Sequence, residues 1–279
     1  MNANIQPTNN GQISFELTIT QAIIATNYQQ ILQKVASTAE IKGFRKGKAP
    51  IAMVESSVDK SHIYSQVLDK VIPPAYAAEI AKQKINPIID PQITPKQFED
   101  GKDWIFSVTT VIKPDLDLGD YKKYVKKALS EYEKNKKSVP VEHSTEKGHE
   151  GHDHEGDAKF TVVLDSLLKE TKIEVAPLLV DQEAKSQLSR LLSQLKELKL
   201  TIADFAKSQK KTQEELIAEY QKTAETNLKL ELILDKLVMD ENPTVTDDEV
   251  AKLQAPKGQE AYAKYIAQKQ KVIDNLLLL

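Results

Sequence analysis

Lys42, Arg45, Lys46 and Lys48 stand within seven residues of one another, interleaved with Gly43, Phe44 and Gly47 and closed by Ala49-Pro50. The chemistry these types offer is recognition rather than bond-breaking. Arg45 presents a flat fork of donors that matches a carboxylate or a phosphate, and Lys46 and Lys48 add long-range attraction. Phe44 is the one ring among them and can fill a small apolar notch. Gly43 and Gly47 permit backbone angles that side-chained residues resist, so the run reads as a tight projecting loop. Glu40 is the only acid beside it. The same composition also suits a solvated basic loop, and the residues alone leave both readings open.

A second cluster invites metal chemistry. Four of the five histidines, His143, His149, His152 and His154, fall in one acid-rich stretch. Imidazoles and carboxylates at this density can collect Zn²⁺, Ni²⁺ or Cu²⁺. A structural site needs a rigid scaffold to fix its ligands, and no apolar pattern nearby supplies one. His149, His152 and His154 are therefore weak candidates, and the expectation is a solvated linker without a bound metal. The chain has no cysteine, which excludes disulfides, zinc–thiolate sites and thiol catalysis. No phosphate-cradling glycine loop, nucleophile constellation or acid/base pair is evident, so neither an enzyme nor a cofactor is expected.

The elements that must position the basic loop are legible on both sides of it. Ile13, Phe15, Leu17 and Ile19 alternate with polar residues, the period of a half-buried strand. Thr20 can cap the helix that follows, whose apolar face runs through Ile23, Ile24, Tyr28, Ile31, Leu32 and Val35. After the loop, Pro50 suits a helix start. The stripe Ile63, Val67, Val71, Ile72 reaches Pro73-Pro74, which should break or kink the helix and leave a short one from Ala75 to Lys84. Turns at Pro87 and Pro91 lead to a last strand with Trp104, Phe106, Val108 and Thr110. This order predicts a compact α+β domain over residues 1–118.

Tyr121 to Asn135 predicts a helix, and Ser138 to Asp157 a polar linker, together filling residues 119–157. From 158 to 279 the composition shifts to Leu, Lys, Glu, Ala and Gln, and the expectation is all-α. Thr201…Asp204, Thr212…Glu215 and Thr246…Glu249 each place a hydroxyl three residues before an acid, as in a capping box. Core packing accounts for most of the leucines here. The terminal Leu276–Leu279 run suits either exposure to a partner or packing against the long helix that starts at Thr212.

With 279 residues and 40% hydrophobic content, the chain has room for roughly two domains and a sizeable core. Its net charge of −3 means that any affinity for polyanions must come from a local patch. The polar first residues carry no export signal, and no run approaches the ~18 apolar residues that span a bilayer, so a cytoplasmic protein without membrane partners is expected.

Ile41 to Pro50 resembles the signature loop of trigger factor, the bacterial chaperone of the ribosomal exit tunnel. The Ile85-Asn86-Pro87…Pro91 turn and Leu116-Asp117-Leu118-Gly119 resemble the same family, as do Ile173 to Pro177 and Lys211 to Leu216 further on. The resemblance implies that Gly43, Phe44, Arg45, Lys46, Gly47, Lys48 and Pro50 bind a ribosomal protein, with rRNA as a further candidate contact. It implies that the C-terminal helices shield nascent, unfolded polypeptides without ATP, through client-contacting residues that the sequence does not identify. Full-length members of the family can dimerise, which leaves a homodimer open for this shorter chain. Full-length trigger factors carry an FKBP-like prolyl isomerase domain of about 100 residues in the middle. Between Gly119 and Asp157 there is only a helix and a polar linker, so isomerase activity is not implied here. Two rivals stay open: an assembly factor working off the ribosome, and a residual prolyl isomerase.

Overall fold

Strand β1 (Gln12–Ile19) realises its alternation residue by residue: Ile13, Phe15, Leu17 and Ile19 are buried while Ser14, Glu16 and Thr18 face water. In the computed structural model, which describes residues 8–138, 154–253, 256 and 258–279, the chain divides into two compact units, Met1–Lys113 and Pro114–Leu279. The first is α+β and the second is helical among its described residues.

In the first unit β1 pairs antiparallel with β3 (Trp104–Val111), and β2 (Gln92–Gln97) pairs with the other side of β3. Pro95 is tolerated because β2 is an edge strand, and the register slips between Pro95 and Gln97. The buried sheet face meets α1 (Gln21–Thr38) and α3 (Lys60–Gln83) around Leu32, Ile63, Val67, Trp104 and Val108. Short α2 (Ile51–Ser57) contributes Val54 to this core. Thr110 is the polar residue inside it, and its hydroxyl donates to the Ile89 carbonyl at 3.1 Å.

Two local expectations do not hold. Thr20 occupies the N-cap of α1 but makes no side-chain capping bond. Asp103, from the turn before β3, instead accepts from the Gln21 amide at 2.7 Å, so the cap arrives from across the fold. The second concerns Pro73-Pro74. Helix α3 continues through both prolines to Gln83. The missing amides free the carbonyls of Asp69 and Lys70, which sit on exposed residues where water can satisfy them. Val67 and Val71 before the prolines, and Ile80 after them, hold both halves against the same core.

In the helical unit α4 (Tyr121–Ser138), α5 (His154–Glu170), the C-terminal half of α8 (Gln213–Glu241) and α10 (Glu260–Leu277) share a core of Val125, Leu167, Ile233, Leu237 and Leu276. Leu118, Val125 and Leu129 belong to this core, which places α4 in the helical unit. Helices α6 (Pro177–Glu197) and α7 (Ile202–Ser208) pack on the N-terminal half of α8 through Leu191, Leu195, Ala206 and Leu216. At 29 residues α8 is about 44 Å long, enough to join both clusters. All three capping boxes form, at the starts of α7, α8 and α9 (Asp247–Ala251).

Candidate docking site

The basic loop joins the end of α1 to the start of α2 through two consecutive tight turns. The Phe44 amide donates to the Ile41 carbonyl at 3.0 Å, and the Lys48 amide to the Arg45 carbonyl at 2.9 Å. Each turn carries glycine in its third position, Gly43 at φ +93° and Gly47 at φ +72°, where a type II turn demands positive φ. A further bond, from the Gly47 amide to the Ala39 carbonyl at 3.0 Å, ties the second turn to the end of α1. Ile41 and Ala49 pack at the edge of the core on either side. Pro50 is the N-cap of α2, and its carbonyl accepts from Met53 and Val54.

Anchored in this way, the tip exposes its chemistry. Lys42, Phe44, Arg45, Lys46 and Lys48 all face solvent, and Phe44 keeps 41% of its surface open. Set among four cations, the ring offers an apolar anchor beside the charge. Lys46 pairs with Glu40 at 2.9 Å, but both side chains are well solvated and the pair contributes about 0–1 kcal/mol. An anionic partner can displace it at little cost. Among the described residues Lys42, Arg45 and Lys48 make no ion pair. The arrangement is a preformed cationic tip with one apolar anchor, able to dock on a carboxylate- or phosphate-bearing surface.

Sequence reasoning passed over two residues beside the tip. Ile51 and Met53, on the first turn of α2, are exposed at 43% and 45%. Their signal was available: α2 turns Val54 inward, which leaves Ile51 and Met53 off the buried face. The terminal leucines divide between the two readings. Leu276 is buried on the helical core and Leu278 is open to solvent. His143, His149, His152 and the side chain of His154 lie outside the described residues.

Residues 1–147 match the family model described as bacterial trigger factor protein (TF), and residues 153–277 the one described as bacterial trigger factor protein (TF) C-terminus. The chain belongs to the trigger factor family. The trigger factor of Brevibacillus brevis is 37% identical over 114 residues, covering 41% of this chain and 26% of that protein. The trigger factor of Staphylococcus epidermidis is 38% identical over 93 residues, covering 33% and 22%. These matches thus span about a quarter of the curated relatives' length. A solved structure described as "Promiscuous Substrate Recognition in Folding and Assembly Activities of the Trigger Factor Chaperone" shares the fold, with a TM-score of 0.63 over 99% of each chain at 11% identity. The two trigger factor models follow one another at 147 and 153, which leaves no room between them for an inserted domain of about 100 residues.

Proposed function

We propose that this chain is an ATP-independent chaperone that docks at the ribosomal exit tunnel through the Gly43–Pro50 loop and shields emerging polypeptides with its helical unit. The observation that carries the docking claim is the loop itself: two glycine turns project Phe44 and Arg45 from a well-anchored base, in a chain that belongs to the trigger factor family. Phe44 supplies an apolar anchor of the kind that dominates interface energetics, and Arg45 a bidentate donor. Gly47 and Pro50 fix the geometry. Docking of this type depends on ionic strength, because the contact is largely charge-driven. The site of action is then the cytoplasm, and no helix among the described residues is long and apolar enough to cross a membrane.

Salt-dependent co-sedimentation with ribosomes tests this. The triple variant Phe44→Ala/Arg45→Ala/Lys46→Ala is expected to remain in the supernatant at salt concentrations where the parent pellets. Unchanged pelleting of the variant would remove the loop from the docking surface. Peptidyl-prolyl isomerase activity is not part of this reading, since residues 119–157 have no room for that domain and α4 already belongs to the helical core. In a proline-limited refolding assay the slow phase is expected to keep its uncatalysed rate, and acceleration at catalytic protein concentrations would restore the isomerase reading.

A further inference from the structure

Beside the last turn of α10, the leucines that follow Leu276 and the adjacent face of α4 enclose a groove of about 400 Å³. Leu129 and Leu277 form its apolar lining, and Leu278, 85% exposed, stands at its edge with Leu279. Lys126 and Lys134 border it on the α4 side. Both are exposed, and among the described residues neither makes an ion pair. Among the described residues the one acid of the lining is Glu133, and it pairs at 2.7 Å with Lys159, which lines the groove too. The groove therefore sets leucine side chains beside a cationic rim.

We propose that this groove binds an unfolded polypeptide segment in which a bulky aliphatic side chain is flanked by aspartate or glutamate. The inference rests on the client-shielding reading above and adds a charge preference to it. Lys126 and Lys134 are eight residues apart on one helical face, about 12 Å along the axis. In an extended peptide, acids two residues before and two residues after a leucine are about 13 Å apart, and all three side chains point to the same side. Such a segment seats its leucine on Leu129 and Leu277 while its carboxylates reach the two ammonium groups. Among the described residues no aromatic side chain lines the groove, so they offer no stacking platform of the kind that unpaired nucleic-acid bases require. On the other side of Leu278 and Leu279 a second groove carries Asp240 and Glu241, so the preference for acids belongs to the α4 side alone.

Fluorescence anisotropy of the intact protein with short labelled peptides tests the assignment. The probes are a serine-rich peptide centred on Glu-Ser-Leu-Ser-Glu, a twin with lysine for both glutamates, and a twin with serine for leucine. At low salt the glutamate probe is expected to bind at least about fivefold tighter than the lysine twin. Lys126→Glu/Lys134→Glu should invert that order. Leu278→Ser should weaken both leucine probes by about fivefold, as should serine for leucine in the probe. These are surface substitutions, and unchanged far-ultraviolet circular dichroism verifies that each variant is folded. Equal affinity for the two charged probes, or an order that survives the double reversal, overturns the proposal. So does displacement of the glutamate probe by a short single-stranded RNA that needs the two lysines but not Leu278. Suppression of aggregation of a denatured reporter separates the claims: suppression without charge preference removes the groove alone, whereas no suppression removes client shielding itself.

Discussion

Gly43 and Gly47 share a residue type and a sign of φ, yet they are not equally replaceable. A Cβ on Gly43 would meet nothing within 4 Å, so alanine there carries only the torsional penalty of positive φ, about 1–2 kcal/mol. A Cβ on Gly47 would fall 2.4 Å from the Ser37 carbonyl oxygen, inside the last turn of α1. That atom is backbone and cannot rotate away. Gly47→Ala should therefore cost at least about 2 kcal/mol more than Gly43→Ala, read from urea midpoints, and should impair ribosome pelleting more severely. Comparable losses for the two variants would mean that the second turn does not press on α1 as described. The sequence announced that both positions are special, because glycine between cations is conspicuous. It was silent on which one is crowded, since the crowding comes from a residue ten positions away.

Helix starts written in short-range code were legible, and those completed from a distance were not. The boxes at Thr201, Thr212 and Thr246 lie within four residues and close as their spacing implies. The α1 cap from Asp103 is 82 residues away, and the passage of α3 through Pro73-Pro74 is decided by core contacts on both sides of the prolines. Nothing local encodes either. Likewise the stop after α2 is set by Val58 turning extended and Asp59 capping the Ser61 amide at 2.9 Å, a boundary that the continuous apolar stripe concealed. The box at α9 carries a pH signature. The Thr246 amide and the Lys271 ammonium, 3.0 Å away, pull the Glu249 carboxyl down from 4.5 to about 2. A depressed folded-state value means that the stabilisation is complete above about 4.5 and is lost as pH falls through about 2. The side-chain carboxyl resonance of Glu249 is expected to titrate near 2, with the α9 amides losing exchange protection over the same window. Titration at the ordinary glutamate value, with no loss of protection, would show that the box is not held in solution.

At the scale of the whole molecule, the core of the first unit shares no member with the two clusters of the second. Two cores of different composition need not melt together, and the chain carries its own reporter for one of them. Trp104 is the only tryptophan and is buried in the α+β core, so its fluorescence follows that unit alone. Helical circular dichroism is dominated by the second unit, which holds the 29-residue α8 and most of the other helices. Denaturation followed by the two signals is expected to give midpoints that do not coincide. Lys269 supplies the perturbation that assigns them. Its ammonium is buried between α10 and α8, 3.0 Å from Asp235 and bonded to Glu231, while Tyr265 donates to the same Asp235 carboxylate. Burial pulls its ionisation down, but those bonds outweigh it and hold the group above its usual value, so the charged form is favoured. Lys269→Met removes the ammonium that Asp235 and Glu231 share, at a site only partly open to water. The cost should be about 2–3 kcal/mol, between that of a solvated and a fully buried pair. That loss should move the circular-dichroism midpoint and leave the tryptophan midpoint in place. If both midpoints shift together, the two units unfold as one cooperative body and the separate cores are not separate in energy.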